Sequence, residues 1–431
     1  MQLIATLRSY WQVAVSDLLS TYATSVAETT IQLWLLNSLL IGFKDSSRYL
    51  TLYLTISSLS ALIIGLFSGA LSEKVGVLRA IMYACSVRII AGLLIIGTIF
   101  VSSQSSLFST HSAFWILTSL VVITTGSDTF YSPALTSFIN RVTDSEKLID
   151  VLSLVRLVSL MGTLLGPAIA GFASNSGAYI PILFTESFSL LAAILLVLLA
   201  SRKHPEVHAS SSVESAESTA SASFVSFLND WISGLKTFVH TATYRLLFPF
   251  AVLEALASAG IGFAVILFFT NVLHDTASYG WCMSAMSLGY AISFALAPRL
   301  AERMSFWSML TLSYSLIIVS LTGLAFSPNG LVAVIFGFCF SFSQAIISPS
   351  FQTVLIRAVD ESLVSQVISV FISVVTAIGA VSYSLWDFIY THSWVAGLSP
   401  ESTVLLGTVA LYGVMLVLCI SSRKLREITV E

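Results

Sequence analysis

Charge is scarce in this chain. Asp, Glu, Lys and Arg make up 10% of 431 residues, against 56% hydrophobic residues and a mean hydropathy of +0.92. Soluble domains carry about a quarter charged residues, so a single water-soluble core is excluded. Cysteine is equally sparse. Cys85, Cys282, Cys339 and Cys419 all fall in apolar runs, where a thiol behaves as a small hydrophobe, which removes a disulfide framework and a thiolate metal site. The six histidines are scattered, and no phosphate-binding Gly-x-x-x-x-Gly-Lys, metal-spaced cluster or nucleophile elbow occurs. An enzyme, a metal site and a bound cofactor are therefore not expected, nor is a nucleic-acid partner, and ATP-driven work would need a second chain.

What is abundant is length of apolar run. A bilayer-spanning helix takes roughly 20 apolar residues, and hydropathy with charge breaks predicts twelve, over about 13–42, 48–71, 78–101, 112–136, 147–173, 177–200, 244–273, 277–298, 306–326, 329–356, 362–391 and 400–421. The first run is too long for a signal-peptide core and lacks a small-residue cleavage site, so it is expected to stay as helix 1. The lipid bilayer is thus the first expected partner.

Orientation follows from where Lys and Arg lie, not from their sum. With the N-terminus inside, fifteen fall in cytoplasmic segments and two, Lys44 and Arg48, outside, while Arg88 and Arg156 fall within spans. Both termini are expected to be cytoplasmic. Ser201 to Ser223, "SRKHPEVHASSSVESAESTASAS", is rich in Ser, Ala and Glu and reads as a flexible linker. Beyond it, Phe224, Phe227, Leu228, Trp231, Leu235 and Phe238 recur at helical spacing, as in a helix lying on the inner membrane surface. The predicted organisation is an all-α membrane protein: a six-helix bundle over 1–200, a cytoplasmic linker over 201–243 and a second six-helix bundle over 244–431.

The halves echo each other. "GALSEKVG" (69–76) has a counterpart in "PRLAERMS" (298–305), pairing Glu73 with Glu302 and Lys74 with Arg303 at an offset of 229. "SPALTSFINRVTD" from Ser132 matches "SPSFQTVLIRAVD" from Ser348 at an offset of 216, with Arg141 opposite Arg357 and Asp144 opposite Asp360. Internal duplication is a signature of secondary transporters, whose sites lie near the membrane midplane.

These segments also carry a family resemblance. "GALSEKVGVLR" resembles the major facilitator superfamily signature after helix 2, Gly-x-Leu-x-Asp-Arg-x-Gly-Arg-Arg, with Gly69, Leu71, Lys74 and Gly76 in place and Glu73 for the Asp. "GTLLGPAIAG" resembles the helix 5 pattern of that superfamily's antiporters, with Gly162, Gly166, Pro167 and Gly171. Arg88, "FYSPA" (130–134), "LGPAIAG" (165–171), "ESFSL" (186–190) and "SGLKTF" before helix 7 resemble the macrolide-efflux and enterobactin-exporter branch.

The resemblance implies a latch of Glu73, Lys74, Glu302 and Arg303 that holds the halves in one state, against a plain turn at Gly76. It implies a moving interface at the helix 5 glycines, against simple packing. Ionisable groups within spans are costly and are functional candidates by default. Glu28 and Glu254 lie on helices that line the superfamily's cavity and are candidates for proton coupling or substrate contact. Glu186 matches an acid recurrent in the branch. Asp17 and Asp128 are expected near cytoplasmic ends, solvated or paired with the latch, and Asp387 near an outer end. Arg88 and Arg156 either neutralise these acids or attract an anion. Trp34, Tyr290 and Trp386 are assigned to the interface belt before the cavity.

The function expected is proton-coupled export of an amphipathic small molecule, drug-like or a siderophore, by a monomer in a bacterial inner membrane, with another cation as a possible substitute for the proton. Alternatives are an importer or facilitator of a metabolite or anionic siderophore, with Arg88 and Arg156 on the anion, and a non-transporting receptor or scaffold.

Overall fold

A computed structural model describes residues 2–104, 109–143, 148–203, 232, 235–359, 364–392 and 397–426. The linker over 204–231 lies outside the described residues, as does most of the amphipathic helix expected after it. Helices account for nearly all that is described. They are α1 (Gln2–Trp34), α2 (Ser46–Val75), α3 (Val77–Gln104), α4 (Thr110–Val142), α5 (Leu148–Ser174), α6 (Tyr179–Lys203), α7 (Ala242–Leu267), α8 (Thr276–Ala301), α9 (Phe306–Ala325), α10 (Gly330–Arg357), α11 (Val364–His392), α12 (Pro400–Ser421) and the short α13 (Arg423–Arg426).

Eleven of them, α2 to α12, are long and apolar enough to cross a membrane. α1 is not among these, because Gln12, Asp17, Glu28, Gln32 and a run of Ser and Thr dilute its hydropathy. It also starts earlier than position 13, since neither Gly nor Pro precedes Gly42 to stop it. Its backbone leaves helical geometry at Tyr10 (φ −116°, ψ 16°), which separates a leading segment from the long apolar stretch. Both α1 and α7 end in a π-helical turn, Leu35–Leu39 and Phe268–Val272.

Sequence and structure differ at the Glu73 segment. Instead of a loop from residue 72, α2 runs to Val75 and α3 begins at Val77, so Gly76 alone makes the break. Its φ of +90° is open to glycine with little strain, and its carbonyl accepts the first helical bond of α3, from Ala80 N at 2.9 Å.

The chain divides into two compact units, Met1–Phe43 with Ile56–Ala222, and Lys44–Thr55 with Ser223–Glu431. In the first, α1 packs along α5 and α6, and α3 along α4 and α6. In the second the same relations recur six helices later: α7 packs along α11 and α12, and α9 along α10 and α12, with α8 also lying along α10. A helical segment over 235–240 buries Phe238 against Tyr244, Phe248 and Phe371, so this part of the expected surface helix packs into the second unit.

Candidate functional site

Among the described residues, each unit has a polar focus, a cluster of polar side chains drawn from four helices, apart from the buried acids Asp17 and Glu401 elsewhere. In the first unit Arg88, on α3, is 1% exposed. Its Nη1 donates to Asp128 Oδ1 of α4 at 2.7 Å and to Ser20 Oγ of α1 at 3.0 Å, and its Nη2 donates to Thr24 Oγ1 at 2.8 Å. Thr24 in turn donates to Asp128 at 3.0 Å. An isolated guanidinium cannot be buried cheaply, and here one carboxylate and two hydroxyls surround it. Glu186, from α6, lies beside the same helix: a Cβ added to Gly92, one turn beyond Arg88, would be 3.3 Å from its Oε2. Glu186 is 2% exposed and that oxygen has no hydrogen-bond partner.

In the second unit the acid comes from α7. Glu254 Oε1 accepts from Gln344 Nε2 of α10 at 2.6 Å and from Tyr412 OH of α12 at 2.9 Å. Tyr314 of α9 lies beside Tyr412, ring centroids 6.1 Å apart, and stacks parallel to Phe250 at 6.2 Å. The four helices are α7, α9, α10 and α12, the repeat counterparts of α1, α3, α4 and α6. Glu254, Gln344 and Tyr314 line a cavity of about 490 Å³ whose remaining wall is largely apolar and aromatic.

The foci correspond residue by residue on the fourth helix of each half. The offset of 216 that aligns Ser132 with Ser348 also aligns Asp128 with Gln344. Extending that echo by four residues points to Gln344, which the sequence reading missed. Tyr412 and Tyr314 carry no comparable signal, since tyrosine in an apolar span is unremarkable.

Of the remaining expected residues, Asp128 is paired with Arg88 within its unit. Asp17 is not solvated; it is 5% exposed and accepts from Ser159 Oγ. Arg156 is exposed. Glu28 is exposed and accepts from Gln32 Nε2, one turn on, at 3.3 Å. Asp387 is half-buried with Oδ1 unpartnered. Trp34 and Trp386 are buried, which removes them from an interface belt; Trp386 Nε1 donates to Leu256 O at 2.7 Å, and the ring fills the space left by Gly260 and Gly407. The side chains of Gly69, Glu73 and Lys74 lie outside the described ones, and Glu302 and Arg303 are exposed in the turn after α8.

The helix 5 glycines do allow close packing. A Cβ at Gly162 would meet Leu18 O and Tyr22 N at 2.7 Å, and one at Gly166 would meet Ser25 Cβ and Val26 N at 2.8 Å, so α5 and α1 touch backbone to backbone. Pro167 follows inside the helix, and Gly171 is buried one turn on.

Comparison with known proteins agrees with this architecture. Solved structures similar to the chain include the nucleoside transporter NupG, at 14% identity and a TM-score of 0.67, covering 96% of this chain and 98% of that one. They also include the peptide transporter POT in complex with sulfate, at 13% identity and 0.68, covering 98% and 96%. A third is a POT family transporter in complex with 5-aminolevulinic acid, at 12% identity and 0.65, covering 97% and 96%. No curated protein matches. At such identities the likeness establishes the fold. The family model for the Major Facilitator Superfamily matches residues 14–383, most of the length, and with that match the chain belongs to this superfamily of membrane transporters.

Proposed function

We propose that the chain is a secondary active transporter that exports an amphipathic small molecule in exchange for protons, by alternating access of two six-helix bundles. The observation that carries this reading is the single carboxylate of Glu254 in the wall of a drug-sized, aromatic cavity. A carboxyl so placed can take up a proton or answer a ligand, and its neutral donors, Gln344 and Tyr412, do not hold it permanently charged as an Arg would. Glu28, exposed on α1, is the second candidate for the proton.

In this reading α1 is the twelfth span, screened from lipid along α5 and α6. The bundles are 1–200 and 244–431, joined by a cytoplasmic linker over 201–243. The excess of Lys and Arg puts both termini inside, in a bacterial inner membrane. Glu73 and Lys74, with Glu302 and Arg303, latch one state, and the Gly162 and Gly166 seam is where α5 moves against α1. The working form is a monomer, and the motifs around Arg88, Pro167 and Glu186 favour the macrolide-efflux and enterobactin-exporter branch.

A second reading is uptake of a specific metabolite, favoured by the similar structures being a nucleoside transporter and peptide transporters. Purified protein in liposomes decides between them. Export predicts that an acidic compartment on the outer face drives substrate across from the cytoplasmic face into it, and uptake predicts accumulation in the opposite direction. Glu254→Gln should lose gradient-driven accumulation while keeping downhill exchange. Accumulation by that variant equal to the parent's would remove Glu254 as the coupling group.

A further inference from the structure

The second unit's cavity has a definite charge character, and it differs from that of its counterpart. In the first unit the polar focus contains its own cation, Arg88, already engaged by Asp128, Ser20 and Thr24. In the second unit the acid meets only neutral donors. Among the described residues lining the cavity there is one acid, Glu254, and no Lys, Arg or His. Phe250, Tyr290, Tyr314, Phe351 and Phe371 supply much of the remaining surface.

Each of these facts favours one sign of ligand. When ionised, a partly buried carboxylate without a counter-cation leaves negative potential in a low-dielectric wall, where it acts most strongly. The faces of aromatic rings are themselves negative and attract cations within about 6 Å. An anion entering would find repulsion from Glu254 and no base to offset it. The volume, about 490 Å³, is that of a site for a drug-sized molecule. The wall is mostly apolar, so the ligand must have an apolar body as well as its charge.

We propose that this cavity binds an amphipathic organic cation, with the charged group at Glu254 and the apolar body against the rings of Phe250, Tyr314, Phe351 and Phe371. This rests on reading the chain as a transporter of an amphipathic small molecule, and it narrows that class: an anionic siderophore is not its ligand. Arg88 and Arg156 do not reverse the sign, since the first is held in the other unit's ion pair and the second is not among the residues that line this cavity.

Two probes of nearly the same size and shape and opposite charge make the test. Binding of tetraphenylphosphonium and of tetraphenylborate is measured by calorimetry on the full chain in detergent, each with the detergent blank subtracted. The parent should bind the phosphonium more tightly, and Glu254→Gln should weaken it about tenfold, the size expected for one charge-assisted contact. The borate should bind more tightly on the same substitution, because the repulsion from Glu254 is removed. Ser348→Lys puts a cation into the lining and should exchange the preference, which keeps the test sharp if Glu254→Gln does not fold. Tighter borate binding by the parent, or a phosphonium affinity unmoved by both substitutions, would overturn the proposal. No gradient is involved in these measurements. Intact cation preference with no proton-driven flux in liposomes would therefore sink the coupling reading alone, and coupled flux with borate preferred would sink this one alone.

Discussion

The two units pack the same helix relations around unlike interiors. In the first, α1 and α5 meet backbone to backbone at Gly162 and Gly166, and the half-buried acid on α4 is paired with the buried Arg88. In the second, the equivalent seam is slacker: a Cβ at Gly379 of α11 would sit 3.6 Å from Ala255 O of α7, an ordinary contact. There the tight seam is α8 on α10, where Gly289 brings Phe338 O within 2.5 Å of a would-be Cβ. The acid of the second unit is met by an amide and a phenol, and a cavity opens beside it. A duplicated scaffold thus conserves which helices touch, while the chemistry at their shared crossing is free to diverge. One copy satisfies its charge internally, and the other leaves charge and volume for something else.

The sharpest way to break this contrast is to remove the cation. Arg88→Met removes the buried guanidinium that binds the half-buried Asp128 together with Ser20 and Thr24, and should cost about 2–4 kcal/mol of stability. The double variant with Asp128→Leu should recover a large part of that, read as thermal melting in detergent. A single variant as stable as the parent would mean that the first unit does not depend on its ion pair. Next in size is the seam. Gly162→Ala should cost about 1–3 kcal/mol because two backbone atoms of α1 stand in the way, whereas Gly379→Ala should stay within about 0.5 kcal/mol. Equal losses at the two positions would erase the difference in packing. The smallest effect is expected where only neutral hydrogen bonding is altered. Tyr412→Phe removes one donor to Glu254 and should cost about 1 kcal/mol, with Gln344 remaining. A loss as large as that of Arg88→Met would show that the neutral focus is no softer than the charged one.

Much of the fold was legible because membrane helices announce themselves through unbroken hydropathy, and α7 to α12 begin and end within a few residues of the expected spans. α1 was the least regular, since its Ser, Thr and Asp side chains meet Arg88 of α3, Asp128 of α4 and Ser159 of α5, so its hydropathy reports protein contact more than lipid contact. The site was legible in part. Acids and bases in apolar runs are conspicuous, which is how Arg88, Asp128 and Glu254 came forward. Their partners are inconspicuous types, Ser, Thr, Gln and Tyr, and only the repeat register could have selected Gln344. Pairing was less legible still: nothing in the chain order of Arg88 and Asp128 says that they meet, because depth along a helix does not reveal which neighbour faces it.

The π-helical turns at the ends of α1 and α7 re-aim the chain. Such a turn amounts to one residue inserted into an α-helix, and Leu35–Leu39 and Phe268–Val272 stand at the same place in each half, 233 positions apart. An inserted residue turns everything beyond it by about 100° around the helix axis, so the first helix of each unit ends with its last side chains re-aimed by the same device.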